Sequence, residues 1–233
     1  MNIERRCRLL QEIYRRYDEF IAPYDLACRK GCAPCCTCNV TLTTLEGLLI
    51  LRQLDQFGPP GWIVRLLAAQ SKPRYQPGTT INQLAELCAR DESVPEEFAD
   101  PQDGPCFLLS DATCPLYAVR PLGCRAMVSK SDCKADGSAD MPEFVLTVNN
   151  LFSQYIESID VQGLSGNLVD VLLFLSDPRL RQSYEAGLSL NRPPALLANR
   201  PAPVLMVPPE HRQRIEPWLK VIQQAVRSAF SVS

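Results

Sequence analysis

Eleven cysteines stand out in this 233-residue sequence, and eight of them fall in two blocks. The first block, residues 28–38, carries five cysteines within eleven residues, and the second carries Cys106, Cys114 and Cys124. Clustered thiolates are soft ligands that select zinc, iron–sulfur clusters or Cu(I). The two blocks therefore predict a metal or iron–sulfur centre to which both contribute.

Spacing within the first block brings three thiolates within reach of one small centre. Cys28, Cys32 and Cys35 follow C-x3-C-x2-C, the spacing with which radical-SAM enzymes hold three irons of a [4Fe–4S] cluster. Shifting the pattern to end at Cys38 gives C-x2-C-x2-C, as in bacterial ferredoxins, but without the C-P element that follows there. Cys35 and Cys36 are adjacent, and adjacent side chains rarely point at one tetrahedral site. Either one of the two is a ligand and the other packs, or the pair serves two centres.

Basic residues flank the cysteines and would offset the charge of such a centre. Four thiolates on Zn²⁺ leave a double negative charge, and nearby guanidinium groups can donate hydrogen bonds to sulfur. We predict that Arg120 and Arg125 contact the bound group in this way. Arg29 and Lys30 lie beside the first block. Solvation of these side chains at the surface is the alternative.

The sequence contains one histidine, His211, near the start of the last helical segment. A water-activating zinc centre built on two or three histidines is therefore excluded. Nothing near His211 suggests a Ser-His-Asp triad, so we expect it to be an exposed residue of the first helical turn.

Composition and charge narrow the class of protein. A formal net charge of -2 and 7% aromatic residues give no basic footprint or stacking platform for nucleic acid. We expect no signal peptide, and no apolar run reaches the ~20 residues that span a membrane. These features predict a cytoplasmic protein. In the reducing cytoplasm, clustered cysteines more often bind metal than form disulfides. Disulfide pairing remains the alternative.

Hydrophobic periodicity and capping signals predict a mainly α fold. We expect an amphipathic helix over residues 3–21, and Thr43 and Glu46 form a capping box for a helix that ends near residue 57. Further helices are expected over 62–70, 80–90, 142–159 and 167–175, with another opening at Asp177 and Pro178. The last helix should cover most of 209–230, with Pro217 kinking it or marking its start, and residues 204–207 read as extended.

Gly31 and Pro34 place the first cysteine block in an irregular loop. The prediction is thus a small helical domain with irregular, cysteine-rich metal-binding loops over residues 1–140. Residues 141–233 contain no cysteine and are predicted to form a helical extension packed on that domain.

The cysteine pattern resembles the YkgJ-type cysteine-cluster family, described as a zinc- or iron-chelating domain. The resemblance covers residues 28–125 and rests on four matching stretches: Cys28-x3-Cys32-x2-Cys35-Cys36, Pro105-Cys106-Phe107-Leu108, Cys114-Pro115-Leu116-Tyr117 and Arg120-Pro121-Leu122-Gly123-Cys124-Arg125. It implies that the metal-site residues are Cys28, Cys32, Cys35, Cys36, Cys106, Cys114 and Cys124. It leaves out Cys7, Cys38, Cys88 and Cys133. A related arrangement occurs in flagellin lysine methylases, which look like iron–sulfur enzymes.

Together with that analogy, which favours iron–sulfur over zinc, these observations predict a cytosolic metal-binding protein with an iron–sulfur cluster, of the [4Fe–4S] type, and a redox or cluster-dependent role. The alternatives are a structural zinc protein that acts as an interaction module for another protein, or a protein of metal storage and delivery. Whether the chain is an enzyme stays open, because no phosphate-binding or dinucleotide motif appears.

Overall fold

The computed structural model describes residues 2–100 and 103–231, and its fold is mainly α. Met1, Pro101, Gln102, Val232 and Ser233, which fall within the predicted domain ranges, lie outside the described residues. The helices are α1 (Ile3–Ile21), α2 (Thr44–Phe57), α3 (Trp62–Ala69), α4 (Ile81–Ala89), α5 (Leu122–Arg125), α6 (Cys133–Asp136), α7 (Glu143–Ile159), α8 (Leu168–Ser176), α9 (Pro178–Glu185) and α10 (Arg212–Ser231). The strands are β1 (Thr41–Thr43), β2 (Leu164–Asn167) and β3 (Leu197–Ala198).

Several helices begin at residues whose side chains cap them. The Thr43 side chain accepts from the Glu46 amide and the Glu46 carboxylate accepts from the Thr43 amide, so the predicted capping box is confirmed. Asn167 caps α8, and Asp177 caps α9 with Pro178 in its first turn. These side chains satisfy amides that would otherwise lack partners at a helix start.

The apolar faces of these helices meet in one core. α2 packs on α8, and α1 packs on α7 and α10, so packing contacts run across residue 140. Gly47 permits the close approach of α2 and α8, since a Cβ there would lie 2.6 Å from Cγ1 of Val171. The buried aromatic rings of Tyr17 and Phe152 join α1 to α7, with centroids 5.3 Å apart.

A small antiparallel sheet ties the first cysteine block to the helices. β2 lies in the centre and pairs with β1 and β3, with Leu42 opposite Gly166 and Leu164 opposite Ala198. The sequence did not predict this sheet, because strands of two to four residues are too short for a period-two pattern. The run predicted to be extended, residues 204–207, forms no strand.

His211 is buried, so the prediction of an exposed residue was wrong. Pro209–His211 form a 3₁₀ turn before α10, and this turn directs the ring inward. Nδ1 of His211 lies 2.8 Å from the Thr147 hydroxyl, and its ring packs edge-on against Phe144. Pro217 lies inside α10, and the helix begins before it at Arg212.

Across the described residues, we find no helix that combines the length and the apolar character needed to cross a membrane.

Candidate metal centre

Backbone hydrogen bonds join the two cysteine blocks. The Cys106 amide donates to the Cys36 carbonyl at 2.9 Å, and the Cys38 amide donates to the Gly104 carbonyl at 3.0 Å. These bonds run in the antiparallel sense. Segments about 70 residues apart in sequence are thereby held side by side, as the prediction of a shared site requires.

Tight turns shape the first block. The Cys32 amide donates to the Arg29 carbonyl, and the Cys36 amide donates to the Ala33 carbonyl. Gly31 has φ +90°, a left-handed conformation that glycine adopts without steric cost. These turns fold the block tightly, and four of its cysteines, Cys28, Cys32, Cys35 and Cys36, line one cavity.

A two-residue turn shapes the second block. Ser110 and Thr113 exchange two backbone hydrogen bonds, and Asp111 and Ala112 between them both have positive φ, 49° and 56°. Positive φ at both central residues is the signature of a type I′ hairpin turn. The turn reverses the chain between Cys106 and Cys114, which brings the second block back on itself.

Six of the seven predicted cysteines line one cavity of about 200 Å³. The six are Cys28, Cys32, Cys35, Cys36, Cys114 and Cys124. Apolar side chains, among them Ile21, Leu26 and Val40, form much of the remaining wall. Cys106 does not line the cavity but lies beside it, since its charge acts on Cys124.

The thiols of the second block form one group with Cys36. Burial, followed by the charges of Cys106 and Cys114, raises the pKa of the Cys124 thiol. Burial also raises the pKa of Cys106 to about 11. The pKa of Cys36 is lowered by a hydrogen bond from the Cys35 thiol, although burial and the charges of Cys124, Cys106 and Cys114 oppose this. Cys36 therefore differs from Cys106, Cys114 and Cys124, whose pKa values are raised by burial.

The remaining thiols of the first block form a second group. Burial raises the pKa of Cys28, and the charges of Cys32, Cys35 and Cys133 raise it further, while the Ser129 amide donates to its sulfur at 3.2 Å and lowers it. Cys35 and Cys36 thus stand where the two groups meet.

Cys133 is a neighbour of this site that the sequence pattern missed. It lies outside the matching stretches, but it begins α6 and lies close enough to Cys28 for its charge to act there. Its flanking residues Asp132 and Lys134 share a small cleft with Cys32. The one sequence signal was its position as the next cysteine after Cys124.

The thiols are gathered without forming a closed coordination shell. Within residues 2–100 and 103–231, no three or more His, Cys, Asp or Glu side chains are arranged to hold a metal ion directly. The donor chemistry of the cavity nevertheless fits a soft metal or an iron–sulfur cluster, because six thiols share its wall. Closure on such a group requires the cysteine loops to move inward.

Cys124 is positioned from the core by Glu46. This buried carboxylate accepts from the Tyr14 hydroxyl on α1 and from the Leu122 amide at the start of α5, both at 2.8 Å. It also closes the capping box of α2. A single acidic side chain therefore fixes α5, and with it Cys124, against two long helices.

Arg125 also holds α5 in place, and its donors face the protein. Nη1 donates to both carboxylate oxygens of Asp18 at 2.9 and 2.8 Å, while Nε and Nη2 donate to the carbonyls of Arg120 and Ala118. The guanidinium also lies 4.4 Å from the centre of the Tyr14 ring. All three nitrogens are occupied, so Arg125 lines the cavity while its hydrogen bonds go to the protein rather than to sulfur.

Cys7, Cys38 and Cys88 do not line the cavity, although the charge of Cys38 acts on Cys106. The Cys38 thiol contacts the Asn39 side chain and the Pro73 carbonyl, each at 3.6 Å. Cys7 is buried on α1, where burial raises its pKa to about 11, and Cys88 is exposed on α4.

Comparison with known proteins found no matching family model, no matching curated protein and no matching solved structure.

Proposed function

We propose that this chain is a metal-binding protein that carries an iron–sulfur cluster, of the [4Fe–4S] type, on the thiolates of the cysteine cavity. The observation that carries the proposal is the convergence of six thiols from both blocks on one cavity of about 200 Å³. The resemblance of residues 28–125 to a metal-chelating family points to the same cysteines.

The preference for a cluster over a single ion rests on spacing and on the resemblance. Cys28, Cys32 and Cys35 have the C-x3-C-x2-C spacing with which radical-SAM enzymes hold three irons of a [4Fe–4S] cluster. The related arrangement in flagellin lysine methylases also looks like that of iron–sulfur enzymes.

Cys36, Cys106, Cys114 and Cys124 are the ligands that we assign first. They come from both blocks, and the bond between the Cys106 amide and the Cys36 carbonyl holds them together. Cys28, Cys32 and Cys35 form the adjacent group and give the site more thiols than one four-coordinate centre needs. Because thiols must lose protons to bind metal, the raised pKa values of Cys106 and Cys124 mean that loading releases protons.

A bound iron–sulfur cluster supplies one-electron transfer, and the proposed role is redox or cluster-dependent. The residues of the chain hold the cluster through thiolates, exclude water with the apolar wall and fix Cys124 through Glu46. Reduced thiols are needed for this, which agrees with action in a reducing compartment such as the cytoplasm.

Anaerobic purification followed by visible absorption and EPR spectroscopy tests the proposal. We expect a coloured protein whose charge-transfer absorption bleaches on reduction, with an EPR signal in one redox state. A colourless protein with stoichiometric zinc, whose fold is lost on chelation, would establish the structural zinc alternative instead.

A further inference from the structure

We propose that Arg120 is a positioning residue that compensates the negative charge of the thiolate centre and so raises its reduction potential. The inference rests on the proposed function. It names the residue that regulates the charge of that same site.

Arg120 is held in the cavity wall by stacking. Its guanidinium lies 4.2 Å from the centre of the Tyr117 ring, and both residues line the cavity. Stacking of this kind orients the planar guanidinium and leaves its edge donors free.

Nε of Arg120 is buried and has no hydrogen-bond partner. A buried N–H without an acceptor costs free energy, and such groups are rare in folded proteins. Across the described residues, no carboxylate lies within ion-pair distance of this guanidinium. Nε of Arg120 therefore has no acceptor among the described residues.

The available acceptors are the thiols that share the cavity with Arg120. Cys35, Cys114 and Cys124, which come from both cysteine groups, line the same cavity as Arg120. Once these thiols bind metal they are thiolates, and sulfur accepts hydrogen bonds from such donors. Arg125, the other arginine of the wall that packs on a tyrosine, is already occupied by Asp18 and two carbonyls.

Two consequences follow from a cation beside an anionic centre. Adding an electron makes the centre more negative, so a nearby positive charge favours the reduced state and raises the potential. The same charge stabilises thiolate over thiol, so its loss weakens metal binding. Outer-shell partners of metal ligands commonly change affinity by ~10- to 100-fold.

The test uses the full chain, isolated anaerobically with its metal, as wild type and as Arg120→Gln, Arg120→Lys and Arg179→Gln. Arg179 is exposed on α9 and is the control for loss of a positive charge away from the cavity. The midpoint potential is measured by redox titration, and the rate of metal transfer to a competing chelator is measured in parallel.

We expect Arg120→Gln to lower the midpoint potential and to speed metal transfer by about 10-fold or more, while Arg179→Gln matches wild type. Arg120→Lys keeps the charge but loses the fixed fork of donors, so it should fall between them. If Arg120→Gln does not fold, Tyr117→Leu releases the stacked guanidinium and should change both quantities in the same direction. Potentials and transfer rates of Arg120→Gln equal to those of Arg179→Gln would overturn the inference.

The two proposals fail in different ways. A colourless zinc protein would refute the cluster, yet the rate of zinc transfer to a chelator would still show whether Arg120 stabilises the bound metal. If substitution of Arg120 left the potential and the stability of the cluster unchanged, the inference would fail and the proposed function would stand.

Discussion

At the scale of residues, cysteines that are regularly spaced in the sequence have different neighbours in the structure. Cys36 faces Cys106, Cys114 and Cys124, and its pKa is lowered by the thiol of its neighbour Cys35. Cys38 continues the same regular spacing, yet its thiol contacts Asn39 and Pro73 outside the cavity. Regular spacing therefore does not place Cys38 in the cavity wall, whereas the adjacency of Cys35 and Cys36 in the sequence marks a pair that does line it.

Serine substitution should separate ligands from bystanders. Cys106→Ser removes a thiol from the group that joins both blocks, so we expect it to lose most of the bound metal. Cys88→Ser is the control, because Cys88 is exposed on α4 and lies outside both blocks, and it should keep the wild-type metal content. Elemental analysis after anaerobic isolation measures the metal content per chain of both variants. Equal metal in the two variants would remove Cys106 from the assigned ligands.

At the scale of elements, α5 is a short helix that owes its place to side chains rather than to its own length. Four residues cannot form a stable helix alone. Glu46 accepts from the Leu122 amide at its start, and Arg125 at its end bonds Asp18 on α1. The Asn149 side chain on α7 donates to the Ala126 carbonyl just beyond it.

Loss of Arg125 should therefore destabilise the protein. Arg125→Leu leaves the Ala118 and Arg120 carbonyls without these donors, and we expect a loss of about 2–4 kcal/mol in the free energy of unfolding. Asp18→Asn is the control, because Asp18 is half exposed and its ion pair should contribute less than about 1 kcal/mol. Urea unfolding of both variants measures the difference. Similar losses in the two would show that the carbonyl contacts of Arg125 matter little.

Elements with strong local signals could be predicted from the sequence, and those fixed by tertiary contacts could not. The capping box at Thr43 and Glu46 and the Asp177–Pro178 start each act within a few residues, so their helices were placed well. β2 has a glycine among its four residues and gains its pairing from distant strands. His211 was misjudged because burial against Thr147 and Phe144 depends on the docking of α10.

The candidate site, too, could be predicted from the sequence only in part. The two blocks and their approach followed from cysteine spacing, since soft-metal chemistry restricts which thiols can cooperate. The nearness of Cys133 to Cys28 and the partners of Arg120 and Arg125 depend on how loops and α5 pack. These are contacts between segments distant in sequence, which a pattern along one chain does not encode.

At the scale of the whole molecule, Asp160 joins the most separated parts of the fold. This fully buried carboxylate accepts from Arg6 on α1, Tyr184 on α9 and the Asn199 side chain, as well as from Thr44 and Leu45 at the start of α2. Burial nevertheless outweighs these donors and raises its pKa to about 6.

The raised pKa gives stability a definite pH dependence. In the unfolded chain an aspartate titrates near ~3.9, so the folded state holds the proton more tightly. The contribution of Asp160 is therefore most favourable below about pH 4, declines by at most about 1.4 kcal/mol per pH unit as the pH rises towards 6, and is constant above that. Carboxyl carbon NMR shifts should show a titration midpoint near 6, whereas a midpoint below about 4, the unfolded value, would contradict the dominance of burial.

The central claim is that the cysteine cavity holds an iron–sulfur cluster, and the iron and acid-labile sulfide content of anaerobically isolated protein tests it most directly. We predict iron and sulfide in equal amounts, about four of each per chain for one [4Fe–4S] centre, and their joint loss in Cys124→Ser. Protein with stoichiometric zinc and neither iron nor sulfide would contradict the account.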